Sequence, residues 1–384
     1  MIGVLKSYRH KFRSRKAIAG VDIERDLSET DFHLKKSLKW FQTTLLKTGG
    51  SAAKFSLLTR SYASGYPETT GYWINTLVWC QARKPEIYKE VFGSTNVGLE
   101  LGNWLLNVQR RDQTFPGSFG DFKNQPPRVF NTGQILLGLL VCRTLTNDSK
   151  FDVACREAGD WLVKVQDTDG CWKEFTNCQY SSNTRTAWAL IQLGLVTDEK
   201  KYIESGKANL DFAVRSQTEN GYFINNGFVP DKPAFTHTIA YAIDGLLQSG
   251  ILLGNESWIQ SAEKGLKSLI PLVKADGFLS GKLSTQLSED GNFTCLTGNC
   301  QLAIDFFLLA HIRKSDEYNR IGLRLLHFAM KHQLKSDDHR ISGGISGSWP
   351  LNGEYNGLEI PNWASKFFVD ALLASEFAMD RMNG

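Results

Sequence analysis

Apolar residues recur at helical spacing in about twelve stretches along the chain, separated by loops rich in Gly, Pro, Asn and Ser. The stretches alternate in character. Those at 31–46, 97–108, 153–165, 201–215, 257–273 and 316–333 read as outer helices; in the first, Leu38, Trp40, Phe41 and Leu45 can share one face. Those at 68–82, 133–145, 185–195, 237–249, 298–312 and 364–381 are apolar on most sides, as expected of helices flanked by other helices.

The second set shares a frame. Thr70-Gly71, Thr132-Gly133, Thr184-Arg185, Thr236-His237 and Thr297-Gly298 each run into an apolar helix, at Thr-to-Thr intervals of 62, 52, 52 and 61 residues. A sixth copy, Asn362-Trp363-Ala364, lacks the Thr. The frame predicts that each Thr hydroxyl caps the first helical turn. The position after it varies between Gly, Arg, His and Ala, which suggests a common scaffold with a site built at one level.

Six such helical pairs, each meeting only its neighbours, form either an open solenoid or a closed ring. Inner helices without a polar face favour closure. The expectation is an all-α protein, an (α/α)6 toroid of six helical hairpins over residues 31–384, preceded by a basic tail at 1–30.

Composition narrows this reading without changing it. With 42% apolar residues, 10 Trp and 23 Phe, a large core is available, and no stretch approaches the roughly 20 uninterrupted apolar residues of a membrane span. The segment 1–16 is basic and lacks the apolar core of a secretory signal, so a cytoplasmic location is expected, with peripheral contact to an anionic surface as a secondary role for the tail. A net charge of +4 without a basic aromatic stripe gives no ground for nucleic-acid binding. Seven Cys with no tight pairs suit neither a disulfide framework nor a zinc ribbon; Cys80, Cys142 and Cys155 fall in apolar helical patterns. No metal or other cofactor is expected.

The loops carry a second signature: an aromatic in the outer helix, then Gln, Gly and an aromatic. Trp161 with Gln166, Gly170 and Trp172 is the clearest copy. Others are Trp104 with Gln109, Gly117 and Phe119; Phe212 with Gln217, Gly221 and Tyr222-Phe223; and Phe328 with Gln333, Gly347 and Trp349. This resembles the QW repeat of the terpenoid cyclase and protein prenyltransferase superfamily over roughly residues 97–350, and the resemblance implies an α/α toroid. The superfamily's catalytic features do not carry over: Ser336-Asp337-Asp338 does not supply the cyclase acid motif, and Asp169, Cys171 and His237 depart from the prenyltransferase zinc arrangement. The same toroid serves polysaccharide lyases, unsaturated uronyl hydrolases and sugar epimerases, an analogy of fold that implies no activity by itself.

Inner helices running in one direction would bring their N-termini to a single mouth, where partial positive charge and free N–H groups favour an anion. Arg185 would add a fork suited to a carboxylate. His237, in the first turn of its helix, is the main candidate for proton transfer, joined by Tyr241 one turn on, and by Glu68 and Tyr66 in the junction Tyr66-Pro67-Glu68. Tyr72, Trp172 and Trp363 offer rings, and Asn131, Asn183, Asn299, Gln301, Asn362 and Lys366 offer polar contacts. A hydrolase needs a second acid beside Glu68, for which Asp112, Asp169, Glu354 and Glu359 are loop candidates. These residues point first to an enzyme acting on an acidic, uronic-acid-containing oligosaccharide or polysaccharide by lyase, hydrolase or epimerase chemistry, with a role in cell-surface polysaccharide metabolism. The alternatives are an enzyme binding a prenyl diphosphate and a non-catalytic toroid that binds glycan or protein.

Overall fold

A helix apolar on every side must stand among other helices, and that is where the six inner stretches lie. The computed structural model describes residues 17–24, 29–176, 180–229 and 231–382, so the basic segment 1–16 and Cys178 fall outside the described residues. The inner helices are α2 (Pro67–Arg83), α5 (Val129–Thr146), α7 (Thr184–Thr197), α9 (Thr236–Leu253), α11 (Leu296–Arg313) and α13 (Asn362–Met382). Each packs on the next, and α13 returns to α2, so the ring closes. The outer helices are α1 (Thr30–Thr48), α4 (Val97–Val108), α6 (Ser149–Lys164), α8 (Lys200–Arg215), α10 (Glu256–Leu269) and α12 (Asp316–Lys331). They pack on α13, α2, α5, α7, α9 and α11 in that order. The chain is an all-α (α/α)6 toroid.

The recurring Thr residues do not cap helices. The N-cap positions of α2, α5, α7, α9 and α11 are Tyr66, Arg128, Asn183, Phe235 and Cys295, none with a side-chain cap bond. Thr184 Oγ1 instead donates to Tyr241 O at 2.9 Å across the α7–α9 contact, while Thr70 Oγ1 donates to Tyr66 O at 2.8 Å and accepts from Ser51 N at 3.0 Å. A Cβ at Gly245 would lie 2.2 Å from the Thr184 carbonyl carbon, and one at Gly298 would lie 2.4 Å from Thr236 Oγ1. The Thr and Gly positions therefore encode close backbone approach, for which small side chains are required. The buried hydroxyls of Thr132, Thr236 and Thr297 have no hydrogen-bond partner, which agrees with a packing role.

The loop signature is real, but its register differs from the sequence reading. Gln166 Nε2 donates to Gly170 O at 2.9 Å and to Ser205 O, on the next outer helix, at 3.0 Å; Gln217 repeats this with Gly221 O and Ser261 O. Two features require glycine at 170: its φ is 90°, and a Cβ there would meet Ala208 O at 2.3 Å. In the first copy the residue four after Gln109 is Gln113, itself at φ 66°, and the buried aromatic is Phe115; Gly117 and Phe119 are not part of the turn. In the last copy Gly343, at φ 91°, takes the role assigned to Gly347.

That last copy closes the toroid. Gln333 Nε2 donates to Gly343 O, His33 O and Ser37 Oγ, each at 3.0 Å, and Gln333 Oε1 lies 2.7 Å from His33 Nδ1. His33 and Ser37 belong to α1, so one buried amide joins the last outer helix to the first. Short strands do the same at the loop end, where Lys54–Ser56 pairs with Glu359–Pro361.

Two further departures have plain causes. A short helix, α3 (Pro85–Phe92), follows α2, started by Pro85 at its first position and anchored by buried Tyr88, Val91 and Phe92. Residues 17–24, assigned above to the tail, lie on the toroid: Asp22–Ile23 pairs with Leu334–Lys335, and Arg60 Nη2 donates to Ala17 O at 3.0 Å.

Gln333→Ala leaves several buried groups unpaired at the ring seam, and a loss of roughly 2–3 kcal/mol of unfolding free energy is expected. Gln109→Ala, whose Gln113 and Glu157 contacts are partly exposed, should cost under about 1 kcal/mol. Urea unfolding of both variants checks the ranking, and equal losses would remove the special role of the seam.

Candidate active site

The starts of the inner helices and the loops before them enclose a cavity of about 330 Å³. Its lining includes Tyr66 and Glu68 from the start of α2, Asn131 from α5, His237 and Tyr241 from α9, and Trp363 from α13. The loop before α13 supplies Glu354 and Tyr355, and Phe130, Phe228 and Phe235 complete an aromatic wall.

Glu68 is the hub. It is buried, and burial pushes its carboxyl up to about 7, against support for the charged form from the Tyr66 and Tyr72 hydroxyls and from Arg185. Tyr66 Oη donates to Glu68 Oε2 at 2.6 Å and accepts from Asn131 Nδ2 at 2.9 Å. Burial, and then the Glu68 charge, raise the Tyr66 hydroxyl well above its ordinary range. Tyr72 Oη lies 2.6 Å from Tyr241 Oη, which extends the network to α9. A carboxyl that exchanges its proton near neutrality, fixed by two tyrosines, is suited to general acid catalysis.

His237 is neutral. Burial pushes its imidazole down to about 4, with Arg185 acting in the same direction and the Gln301 bond opposing. His237 Nδ1 lies 2.9 Å from Gln301 Oε1, so the ring donates there and Nε2 is left as the acceptor. The ring tilts against Tyr241 and Tyr355, with centroids 4.4 and 5.1 Å away.

Other residues named from the sequence have different tasks. The Arg185 guanidinium is ion-paired with Asp244, donates from Nε to Gln134 Oε1 at 3.1 Å, and sits 5.4–5.7 Å from the rings of Trp188, Phe367, Tyr72 and Tyr241. It is a buried strut below the mouth, already neutralised by Asp244. Lys366 is paired with Asp370, one turn on in α13, and likewise points into the ring. Trp172 is fully buried beneath α6, its indole donating to Leu162 O at 2.9 Å, and cannot meet a ligand at the mouth.

The recurring Asn residues pin loops over helix starts. Asn131 Nδ2 donates to Gly117 O, Asn299 Nδ2 to Gly277 O and Asn362 Nδ2 to Ala52 O. Asn183 is buried, with its Nδ2 3.5 Å from Thr176 Oγ1. Of the four, Asn131 alone lines the mouth cavity. Trp363 lines it too, with its indole donating to Tyr355 Oη at 2.8 Å.

Among the four loop acids, Glu354 lines the cavity, where it pairs with Lys282 at 2.8 Å. Asp112 pairs with Arg110, Asp169 with Lys173 and Glu359 with Lys54. Tyr355, Phe235 and Phe130 were not singled out in the sequence. Phe130 and Phe235 lie one or two residues before the Thr of their repeats, a position that the repeat frame could have flagged. Tyr355 is on a long loop without a counterpart. Asp169, Cys171 and His237 do not come together, and no group of three or more His, Cys, Asp or Glu placed to hold a metal occurs among the described residues.

An unsaturated glucuronyl hydrolase specific for heparin superposes with a TM-score of 0.69 at 13% identity, covering 90% of this chain and 96% of its own. The corresponding hydrolase from Bacillus sp. GL1, described as responsible for glycosaminoglycan degradation, gives 0.66 at 15% identity over 90% and 96%. A D-mannose isomerase gives 0.69 at 11% identity over 91% and 98%. These likenesses establish the fold. They are to sugar enzymes and lend the terpenoid cyclase resemblance no support. No protein-family model matches the sequence, and no curated protein matches it.

Two measurements follow. Glu68 has its folded pKa raised above the unfolded value, so its contribution to stability is full below about 4.5 and declines as pH rises through about 7. Glu68→Gln, which keeps the neutral shape, should gain stability relative to the parent between pH 5 and 8, by an amount on the order of 3 kcal/mol at most; a pH-independent difference in melting would contradict the shift. For His237, Gln301→Glu places a carboxylate on Nδ1 and should raise the imidazole pKa by about 1–3 units, read by NMR titration of the His237 ring.

Proposed function

We propose that this protein is a carbohydrate-active enzyme of hydrolase type, acting on an acidic, uronic-acid-containing saccharide in the mouth cavity. The observation that carries the reading is the pair of carboxyls lining one aromatic-walled cavity in opposite environments: Glu68 buried and shifted to about 7, Glu354 at the rim beside Lys282. A buried carboxyl raised toward neutrality can act as acid opposite a second carboxyl at the rim. In this reading Glu68 gives its proton to the oxygen of the bond being cleaved, and Glu354 takes a proton from the water that adds to the sugar carbon. Tyr66 orients Glu68. His237 Nε2 accepts from a sugar hydroxyl, and the Phe130, Phe235, Tyr355 and Trp363 rings form the walls for the sugar face.

An acidic substrate is supported by the N-termini of α2, α5, α9 and α13, whose first residues line the mouth; Lys282 is already paired with Glu354 and Asp290. Arg185, engaged by Asp244, is not assigned to the uronate. The structural neighbours that are named for unsaturated glucuronyl substrates make unsaturated uronyl disaccharides the first compounds to assay. Lyase and epimerase chemistry would call for a strong base at the mouth, and the shift of His237 to about 4 makes it a weak one.

Incubation with unsaturated uronyl disaccharides, saturated uronic-acid oligosaccharides and neutral oligosaccharides, followed by chromatography of the products, should give turnover of an acidic set. Glu68→Gln should lower kcat by about 10²–10⁴-fold with little change in KM. Turnover unaffected by Glu68→Gln, or confined to neutral sugars, would refute the assignment.

A further inference from the structure

The ring encloses a second, larger cavity of about 520 Å³. Tyr72, Arg185 and Gln301 line it at the level where they meet Tyr241 and His237 of the mouth, and Trp79, Gln248, Leu308 and Ala374 carry it toward the C-terminal ends of α2, α9, α11 and α13. The Tyr72–Tyr241 and His237–Gln301 contacts thus form a layer between two compartments.

This compartment is chemically unlike the mouth. Its wall is apolar, with Trp79, Leu137, Trp188, Ile304, Phe307 and Leu308 as the main surfaces. Its polar floor is the two buried ion pairs, Arg185–Asp244 and Lys366–Asp370. Both carboxylates are further satisfied: Asp244 Oδ1 accepts from Gln248 Nε2 at 3.2 Å, and Asp370 Oδ1 from Thr76 Oγ1 at 2.7 Å. The cations are not saturated. Arg185 engages Gln134 through Nε and Asp244 through Nη1, and Lys366 Nζ engages Asp370 Oδ2, so Nη2 and part of the ammonium remain available as donors among the described residues.

A ligand with a carboxylate head would face Asp244 and Asp370 in a mostly apolar site, and a cationic head would face Arg185 and Lys366. Either adds a charge that the balanced pairs do not compensate, and burying such a charge is costly. A neutral oxygen acceptor meets the unused donors without that penalty, and an aliphatic or aromatic body fills the wall. We propose that the inner compartment is a binding site for an uncharged amphiphile, a molecule with an apolar body and one hydrogen-bond-accepting head, separate from the saccharide site at the mouth.

The test uses three ten-carbon probes with different head groups: 1-decanol, decanoate and decylammonium, titrated calorimetrically into the full chain. Saturable one-to-one binding of decanol, with both ions at least tenfold weaker, is expected. Absence of saturable decanol binding, or tighter binding of either ion, overturns the proposal. Leu308→Trp fills the compartment and should weaken decanol binding at least tenfold; unchanged binding in the folded variant places the probe elsewhere and overturns it. A measurement that does not depend on that variant folding is quenching of tryptophan fluorescence by 10-bromo-1-decanol. The quenched fraction should fall in Trp79→Phe and Trp188→Phe, and equal quenching in the parent and both variants contradicts the site.

Discussion

Everything else in this protein depends on six helix backbones approaching closely enough to share one ring. Where α7 meets α9 the contact allows no side chain at Gly245, since its Cβ would lie against the Thr184 carbonyl carbon, and α11 meets α9 in the same way through Gly298 and Thr236. A bulkier residue at either place would have to push a helix outward, and because the ring is closed the displacement could not be relieved at a free end. The Gln-centred turns on the outside act on the same constraint from the other direction, tying α4 to α6, α6 to α8, α8 to α10 and α12 to α1. Gln333 makes the Gln-centred junction between residues about three hundred apart in sequence, closing the ring together with the α13–α2 packing and the pairing of Lys54–Ser56 with Glu359–Pro361.

A closed ring of apolar helices is also an electrostatic device. Its interior disfavours whichever form of a group is charged, and titratable residues of both signs move accordingly: Glu68 up to about 7, Lys366 down to about 8 and His237 down to about 4. Asp305, one turn beyond Gln301 on α11, is buried with neither carboxyl oxygen hydrogen-bonded, and burial raises it well above the carboxylate range. In each case desolvation is the largest cause. The titration of the groups at the mouth is therefore a property of the scaffold as much as of the residues themselves, and the Glu68 carboxyl is raised because the ring that holds it buries it.

The fold was legible because it repeats. Helical periodicity, the Thr-Gly frame and the Gln-Gly loop signature each recur often enough for a chance match to be outweighed, and together they fixed six hairpins and their order. What they did not carry was the reason for each residue. Thr at a helix start suggests capping on local grounds, and the packing of Thr184 against Gly245 is invisible without knowing which helices are neighbours. The motif glycines at 117 and 347 were placed by spelling, whereas Gln113 and Gly343 hold the turn, because the left-handed conformation follows the Gln bond and not the letter. In the candidate site, Glu68, Tyr66, His237 and Tyr241 were found because they stand at the repeated level. Glu354 was one of four loop acids that local sequence could not separate, and the long segment 334–361 that brings it to the cavity has no counterpart in the other repeats.

Arg185 illustrates how a ring divides labour between its two halves. From the sequence it stands at the varied position of the frame, next to His237 in type and level, and a free guanidinium there would serve an anionic substrate. In the fold its side chain turns inward to Asp244 and four aromatic rings. From that position it still acts on the mouth through space, favouring the ionised form of Glu68 and opposing the ionised form of His237. Removing its charge while leaving Asp244 buried would leave an unpaired carboxylate in the core, a change far more costly than the loss of a surface contact. The cation is thus better understood as the element that makes a layer of polar groups tolerable in the middle of an apolar ring. That layer separates an acid-bearing mouth from an apolar-walled, charge-balanced interior, and one scaffold can therefore present two unlike chemistries at opposite ends.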